Sequence, residues 1–114
     1  MASVIAFPTP ITRLSQTAFE RTELLTILNL YGRMVAAGLW RDYAIAMETD
    51  HAVFSAFRRA SERPEAEVWK RPALRTRQGT YALVGEGGMV LKRGAELRGA
   101  LAPLERLLVK VVSS

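Results

Sequence analysis

The amino-acid sequence predicts an α+β domain in which an N-terminal helix, a five-stranded antiparallel meander and a C-terminal helix follow one another. Apolar residues recur every three or four positions near both ends of the folded part, which is typical of amphipathic helices. Between them lie five short segments that alternate or are rich in aromatic and branched residues, as strands are. Because the links between these segments are too short for parallel crossovers, we expect an antiparallel sheet with both helices on one face.

The first helix is predicted at residues 20–38. Thr17 and Glu20 fit a capping box, and Glu23 adds negative charge to the first turn, where free backbone N–H groups favour it. Gly38 fits the left-handed residue that often follows a helix. The apolar face that we expect to pack on the sheet comprises Leu24, Ile27, Leu28, Tyr31, Val35 and Gly38.

Five strands are predicted, at residues 40–47, 52–59, 65–70, 80–84 and 89–92. A short turn joins the first two strands and a glycine-rich link joins the last two, so both pairs are expected to be hairpins. The segment between the third and fourth strands contains Pro72, Gly79 and a cluster of basic side chains, which indicates a loop. The sheet face away from the helices should be the more polar one.

The C-terminal helix is predicted from Ala95 onward. Pro103 conflicts with a continuous helix, since it removes one backbone hydrogen bond and its ring contacts the carbonyl of Gly99. We therefore expect this helix to be kinked, or broken into two short helices, near Pro103. Its apolar stripe comprises Leu97, Leu101, Leu104, Leu108 and Val111.

The 114-residue length fits one folded domain, predicted at residues 17–112. Residues 1–16 lack periodicity and contain Pro8 and Pro10, so they are expected to form an irregular N-terminal arm. This segment has no basic region before its interrupted apolar run, which argues against a signal peptide or membrane span and favours the cytoplasm. The absence of cysteine excludes disulfides, thiolate catalysis and sulfur-ligated zinc.

Four segments carry a resemblance to a known family: LYGRMVAAG, WRDYAI, FRRASERP and LKRG. Over about residues 19–110 the chain resembles a family of short alphaproteobacterial proteins that is catalogued only as a domain of unknown function. The resemblance implies no reaction, cofactor or partner, and no functional residue is carried over from it. Pro103 is unusual against the family pattern, which also argues against a continuous final helix.

No motif in the sequence indicates catalysis. His51, the only histidine, lies in a predicted turn beside Asp50, and a reaction or metal site would need further groups from elsewhere. We expect it to be a solvated turn residue. Glu65 and Glu67 alternate onto one strand face, as on an exposed edge. We therefore predict no catalytic residue, no cofactor and no metal site, and hence no enzyme.

Arg41 and Asp42 lie between two aromatic residues in the first predicted strand. If one face of that strand is buried, one of these charges lies near apolar side chains and needs a partner, since an unpaired buried charge is costly. We expect a structural ion pair, with a binding site as the alternative. The candidate members of the pair are Asp42 with Arg33 or Arg58.

The preferred functional hypothesis is a non-enzymatic cytoplasmic interaction or regulatory module. It would dock a protein partner through a sheet edge or through the uncovered face, and an edge would also allow homo-oligomers. The hypothesis rests on the absence of site chemistry and on several aromatic side chains that do not all fit inside, namely Trp40, Trp69 and Tyr81. No membrane partner is expected.

The alternative hypothesis is RNA or DNA binding. The net charge is +5, and no acidic residue interrupts the basic side chains between Lys70 and Arg77. Basic and aromatic side chains on an open sheet face would supply phosphate contacts and base stacking. The candidate binding surface comprises Arg58, Arg59, Trp69, Lys70, Arg71, Arg75, Arg77 and Tyr81.

Overall fold

The computed structural model describes residues 16–59 and 63–113, so nearly all of the predicted N-terminal arm lies outside the described residues. The strands are hydrogen-bonded in chain order and every neighbouring pair is antiparallel. The predicted α+β class and the order of its elements are confirmed. The elements are α1 (Arg21–Ala36), β1 (Asp42–Met47), β2 (Ala52–Phe57), β3 (Ala66–Lys70), β4 (Tyr81–Gly85), β5 (Val90–Gly94) and α2 (Leu97–Ser113).

The α1 helix begins one turn later than the predicted capping box. Glu20 is the N-cap residue, and its backbone N–H donates to the Glu23 carboxylate at 2.7 Å, while the Glu20 carboxylate accepts the backbone N–H of Glu23. Thr17 has a different role. Its backbone N–H donates to the Glu48 carbonyl at 2.7 Å and its hydroxyl to the Thr49 carbonyl at 3.0 Å. These two bonds tie the entrance of the domain to the turn between β1 and β2.

The buried side of α1 is rotated relative to the predicted apolar face. Ile27, Leu30 and Met34 are its fully buried residues, whereas Val35 is 40% exposed and the remaining predicted side chains are only partly buried. Sequence periodicity identifies an apolar face but not the position of the sheet beneath it. The sheet lies under the Leu30 side of α1, so part of the apolar face extends beyond the core.

The α2 helix is continuous through Pro103. Of the two predicted alternatives, a kink or a break near Pro103, the break is therefore wrong, and the kink stays a prediction. Leu97 and Leu101 before the proline and Leu104 and Leu108 after it are all buried in one core. Burying each leucine contributes about 1.5–3 kcal/mol, whereas a proline inside a helix costs about 3 kcal/mol. Packing along the whole apolar stripe therefore outweighs the local cost of Pro103.

Both helices pack on the same face of the sheet, as predicted. The register aligns Phe54 with Val68 and Val68 with Leu83, and these side chains form the core with buried residues from α1 and α2. Trp40 is also buried in this core, at 3% exposure, and β1 begins only at Asp42. Neither helix in the described ranges combines the length and apolar character that a bilayer crossing requires.

The connection between β3 and β4 contains more structure than the sequence indicated. The predicted loop after β3 includes a short 3-10 helix, Pro72–Leu74, which begins with proline in the favoured first position. Gly79 follows with φ of 94°, and a Cβ atom on it would lie 2.7 Å from the Gly94 carbonyl oxygen. This close approach brings the loop against β5 and folds it toward the uncovered side of the sheet.

Candidate functional site

The main concave feature on the helix-free face of the sheet is a groove of about 240 Å³. We call it the Trp69 groove. It is smaller than the 300–1,000 Å³ typical of sites for drug-sized ligands, and it suits one large side chain rather than a whole cofactor. The residues lining it are Glu67, Trp69, Arg71, Leu74, Gly79, Thr80, Ala82, Val84, Gly88, Val90 and Arg93.

Strand register explains how the floor of the groove is assembled. Trp69 of β3 is aligned with Ala82 of β4, and Ala82 is aligned with Arg93 of β5. In the adjacent row, Glu67 is aligned with Val84. Alternate residues of a strand point to the same side, so these side chains all face away from the helices.

The carboxylate of Glu67 holds the indole of Trp69 in place. Trp69 Nε1 donates to Glu67 Oε1 at 3.2 Å, and the buried hydroxyl of Ser55 donates to Glu67 Oε2 at 3.3 Å. Glu65 and Glu67 were predicted to mark an exposed edge, but β3 is the central strand and Glu67 is half-buried. Glu67 therefore orients the aromatic ring on the floor of the groove.

Two further side chains contact the ring of Trp69. The imidazole of His51 stacks on it with 4.7 Å between ring centroids, and the Arg71 guanidinium carbon lies 5.0 Å from the ring centroid. His51 was predicted to be a solvated turn residue, yet its side chain is only 23% exposed. The β2–β3 pairing brings the turn beside the groove wall, which sequence position alone does not indicate.

His51 Nδ1 also lies 2.7 Å from Asp50 Oδ1, and this hydrogen bond lowers the pKa of Asp50. The pair adjoins the groove through the stacking of His51 on Trp69, but neither residue lines the groove itself. Across residues 16–59 and 63–113, no three or more histidine, cysteine or acidic side chains are grouped so that they could hold a metal ion. The side chains around Trp69 can bind a ligand through aromatic, cationic and hydrogen-bonding contacts.

The guanidinium groups of Arg71 and Arg93 give the groove positive charge. Neither is within ion-pair distance of a carboxylate in the described part of the chain. Arg71 packs on Trp69, and Arg93 is exposed on the edge strand. Planar guanidinium groups bind carboxylates and phosphates through paired hydrogen bonds, so the groove can accept an anionic group beside its apolar floor.

Lys70 and Tyr81 belonged to the predicted binding surface, but both lie on the helix-covered face. Lys70 Nζ donates to Glu23 Oε1 and to the Ala18 carbonyl, both at 2.8 Å, and the Tyr81 hydroxyl donates to Glu23 Oε2. Burial alone would raise the pKa of Glu23, but these hydrogen bonds outweigh burial and lower it. Burial and the bond to Glu23 raise the pKa of Tyr81. These three side chains form a structural cluster.

The remaining predicted binding residues do not form one surface. Arg58 pairs with Glu65 at 3.0 Å, and Arg59 lies near it beside a separate pocket. Arg75 and Arg77 are exposed on the loop after the 3-10 helix and do not line the Trp69 groove. Of the eight residues predicted to form the binding surface, only Trp69 and Arg71 line the groove. The other six lie on the opposite face of the sheet, at another pocket or on the exposed loop.

The predicted ion pair of Asp42 does not form. Arg33 instead pairs with Glu105 of α2 through two hydrogen bonds of 2.9 and 2.8 Å, and Arg58 pairs with Glu65. The Arg33 bonds lower the pKa of Glu105. Asp42 lies exposed on an edge strand, where its carboxylate accepts the backbone N–H of Tyr43 at 2.9 Å. The prediction assumed that one of the two charges lies near buried apolar side chains. Because the Asp42 carboxylate is exposed, it needs no ionic partner.

The fold and the groove define a small α+β protein with one open, partly basic sheet face. The chain belongs to the family described as "Protein of unknown function (DUF2794)", whose model matches residues 17–101. The resemblance to a family of unknown function is thereby confirmed. No curated protein and no solved structure matches the chain.

Proposed function

We propose that this protein is a non-enzymatic cytoplasmic interaction module that binds an extended, acidic segment of a partner protein. The segment would lie along β5 and insert one apolar side chain into the Trp69 groove. The observation that carries the proposal is an apolar cleft with two unpaired guanidinium groups that opens directly onto an edge strand.

The apolar part of the groove supplies the anchoring contact. Trp69, Leu74, Ala82 and Val84 offer aromatic and aliphatic surface, and Val90 at the rim is 43% exposed. Tryptophan and arginine dominate the binding energy of many protein interfaces when they line such pockets. A leucine or phenylalanine side chain from the partner would cover this surface and exclude water from it.

The outer edge of β5 supplies the backbone contacts. Among the strands of residues 16–59 and 63–113, β5 is hydrogen-bonded only to β4, and the register between the two strands shifts at Leu83 and Val84. An extended peptide can add to such an edge as a further strand, with its alternate side chains entering pockets on the sheet face. Lys92 and Arg93 on this edge disfavour pairing between two identical basic edges but attract an acidic segment.

Nucleic-acid binding is the second candidate, and one observation favours it: Arg71 and Arg93 flank a half-buried tryptophan on an open sheet face. One observation weighs against it. The ring of Trp69 already contacts the side chains of His51 and Arg71. A base could stack on the indole only by displacing one of these side chains.

The proposal is tested by selecting from a library of short random peptides with the immobilised full-length chain. Enriched peptides should combine an apolar residue with nearby aspartate or glutamate. Their affinity is then measured by fluorescence anisotropy of the labelled peptide. Trp69→Ala and Arg93→Glu should each weaken binding about tenfold or more, since each removes a central contact.

Arg77→Glu is the matched control, because it makes the same charge change on an exposed loop outside the groove. It should change affinity only slightly through long-range electrostatics. Failure to enrich any peptide, or equal losses for Arg93→Glu and Arg77→Glu, would contradict the proposal. Tight, salt-dependent binding of a labelled poly-uridine oligonucleotide that is lost in Trp69→Ala would support the second candidate instead.

A further inference from the structure

One side of α1 and the adjoining edge strand β1 form a continuous apolar surface, which we call the α1–β1 edge. On the helix, Leu24, Leu28 and Tyr31 are only partly buried and Val35 is 40% exposed. On the strand, Tyr43 is 42% exposed and Met47 is 39% exposed. No other part of the described chain covers this surface.

The packing of α1 explains why this side is left open. Arg33 on one flank of the helix reaches Glu105 of α2, so the opposite flank projects beyond the sheet over β1. The rings of Tyr31 and Tyr43 meet there with 4.9 Å between centroids. Residues 24, 28, 31 and 35 recur at helical spacing, so they form one stripe above the edge strand.

The backbone of β1 also has unused pairing capacity. Glu48 N–H donates to the His51 carbonyl, which places the even-numbered residues of β1 in the hydrogen-bonded pairs with β2. The N–H and C=O groups of Ile45 and Met47 and the C=O group of Tyr43 therefore point toward the free edge. The N–H of Tyr43 donates to the Asp42 carboxylate at 2.9 Å and would exchange that bond for one to the added strand. No charged residue lies between Asp42 and Glu48, so this edge lacks the charges that usually prevent strand pairing.

We propose that the α1–β1 edge binds a second copy of this chain, with β1 pairing antiparallel to β1 of the second copy around a twofold axis. The two five-stranded sheets would join edge to edge, and the two α1 helices would lie antiparallel on the same face. A twofold axis suits a strand that pairs with itself, and antiparallel helices oppose their dipoles favourably.

The charged residues at the ends of β1 restrict the register in which the two β1 strands can pair. Residues on the same sheet face must lie opposite each other, so the pairing is centred on a residue rather than between two. A centre at Ala44 places Tyr43 opposite Ile45 of the second copy and Asp42 opposite Ala46, with no like charges facing. A centre at Ile45 would place Asp42 opposite Glu48, which is unfavourable. Centres nearer either end of β1 would pair fewer of its six residues, so we place the centre of the pairing on Ala44.

The size of the α1–β1 edge sets the expected affinity between the two copies. The stripe and the strand contribute roughly ten residues per copy, fewer than the 20–30 per side of a standard interface. Each copy carries a net charge of +5, which opposes association at low salt. The dimer is therefore weak, with a dissociation constant in the micromolar range, and it leaves both Trp69 grooves open at the outer ends of the joined sheet.

Sedimentation of the full-length chain over a range of concentrations around the micromolar level tests the proposal. The average mass should rise with concentration toward that of two copies. Val35→Lys and Ala44→Lys should each raise the dissociation constant about tenfold or more, since each places like charges across the twofold axis. Val109→Lys is the matched control, because Val109 is a valine exposed by 64% on α2, away from this edge.

Circular dichroism of each variant checks that the fold is retained. If Ala44→Lys does not fold, the test is made with Val35→Lys by itself. A chain that stays monomeric at all concentrations overturns the proposal. So does a dimer that Val35→Lys leaves intact, or one that Val109→Lys weakens equally. A concentration-dependent dimer weakened selectively by Val35→Lys supports it.

Discussion

Lys70 Nζ lies 2.8 Å from Glu23 Oε1, although 47 positions separate the two residues in the sequence. Their side chains are only 12% and 11% exposed, so the pair is nearly enclosed between β3 and the first turn of α1. Trp69, the neighbour of Lys70, faces the opposite side of the sheet and forms the groove floor. One strand thus anchors the helix with one side chain and builds the candidate binding surface with the next.

The cluster of Glu23, Lys70 and Tyr81 should make the free energy of unfolding fall at acidic pH. The pKa of Glu23 is lowered in the folded protein, so its contribution to stability is present above the ordinary value of 4.5 and is lost as the pH falls through the folded pKa. Denaturant unfolding measured from neutral pH down into this range should show a declining free energy of unfolding. Glu23→Gln should flatten that decline, and an unchanged pH profile in this variant would contradict the assignment.

Removing Lys70, the cationic member of the buried pair, should lower the free energy of unfolding. Lys70→Met removes the cation and leaves Glu23 nearly buried with only its neutral hydrogen-bond donors, so the free energy of unfolding should fall by about 3 kcal/mol. Lys92→Met, on exposed β5, should change it by less than about 0.5 kcal/mol. Adding Glu23→Gln to Lys70→Met should recover part of the loss, because the stranded charge is then gone. No recovery would show that packing, rather than charge, dominates this site.

Pro103 offers a test of the packing argument for α2. Pro103→Ala restores the backbone N–H that can bond to the Gly99 carbonyl and removes the ring from the helix interior. We expect an increase of about 1–3 kcal/mol in the free energy of unfolding, measured by chemical denaturation. A decrease would mean that the ring of Pro103 contributes packing that alanine cannot replace.

Gly79 should tolerate no side chain. Its φ is 94° and an added Cβ would meet the Gly94 carbonyl oxygen at 2.7 Å, so Gly79→Ala should lower the melting temperature and cost about 2 kcal/mol or more. Gly87 provides the comparison, since its φ of 87° is similar but nothing lies within 4 Å of its added Cβ. Gly87→Ala should therefore cost about 1 kcal/mol. Equal losses would show that backbone conformation alone, without the contact to β5, decides the outcome.

The order of elements was predictable because helical and strand periodicities are local properties of the chain. Strand boundaries shifted by one or two residues, as at Trp40, which enters the core before β1 begins. The continuous α2 was not predictable from local rules, since Pro103 is tolerated only because leucines on both sides of it share one core. Which side of α1 is buried depends on where the sheet ends beneath the helix. The periodicity of apolar residues carries no information about that position.

The candidate site was predicted only in part for a similar reason. Trp69 and Arg71 were identified because they are close in sequence, and Lys70 was wrongly grouped with them for the same reason. Alternation along β3 is a usable signal, since it places Glu67 with Trp69 and Lys70 on the other face. The contributions of Ser55 and Arg93 depend on the registers of β2 with β3 and of β4 with β5, and a single sequence does not specify these.

The two tryptophans of the chain occupy very different surroundings, Trp40 inside the core at 3% exposure and Trp69 on the groove floor. The protein therefore carries two built-in fluorophores that report separate events. With Trp69→Phe, the remaining emission follows folding alone. In the unaltered chain, quenching by acrylamide should reach the Trp69 indole first, so shielding from the quencher would signal the arrival of a ligand without any attached dye.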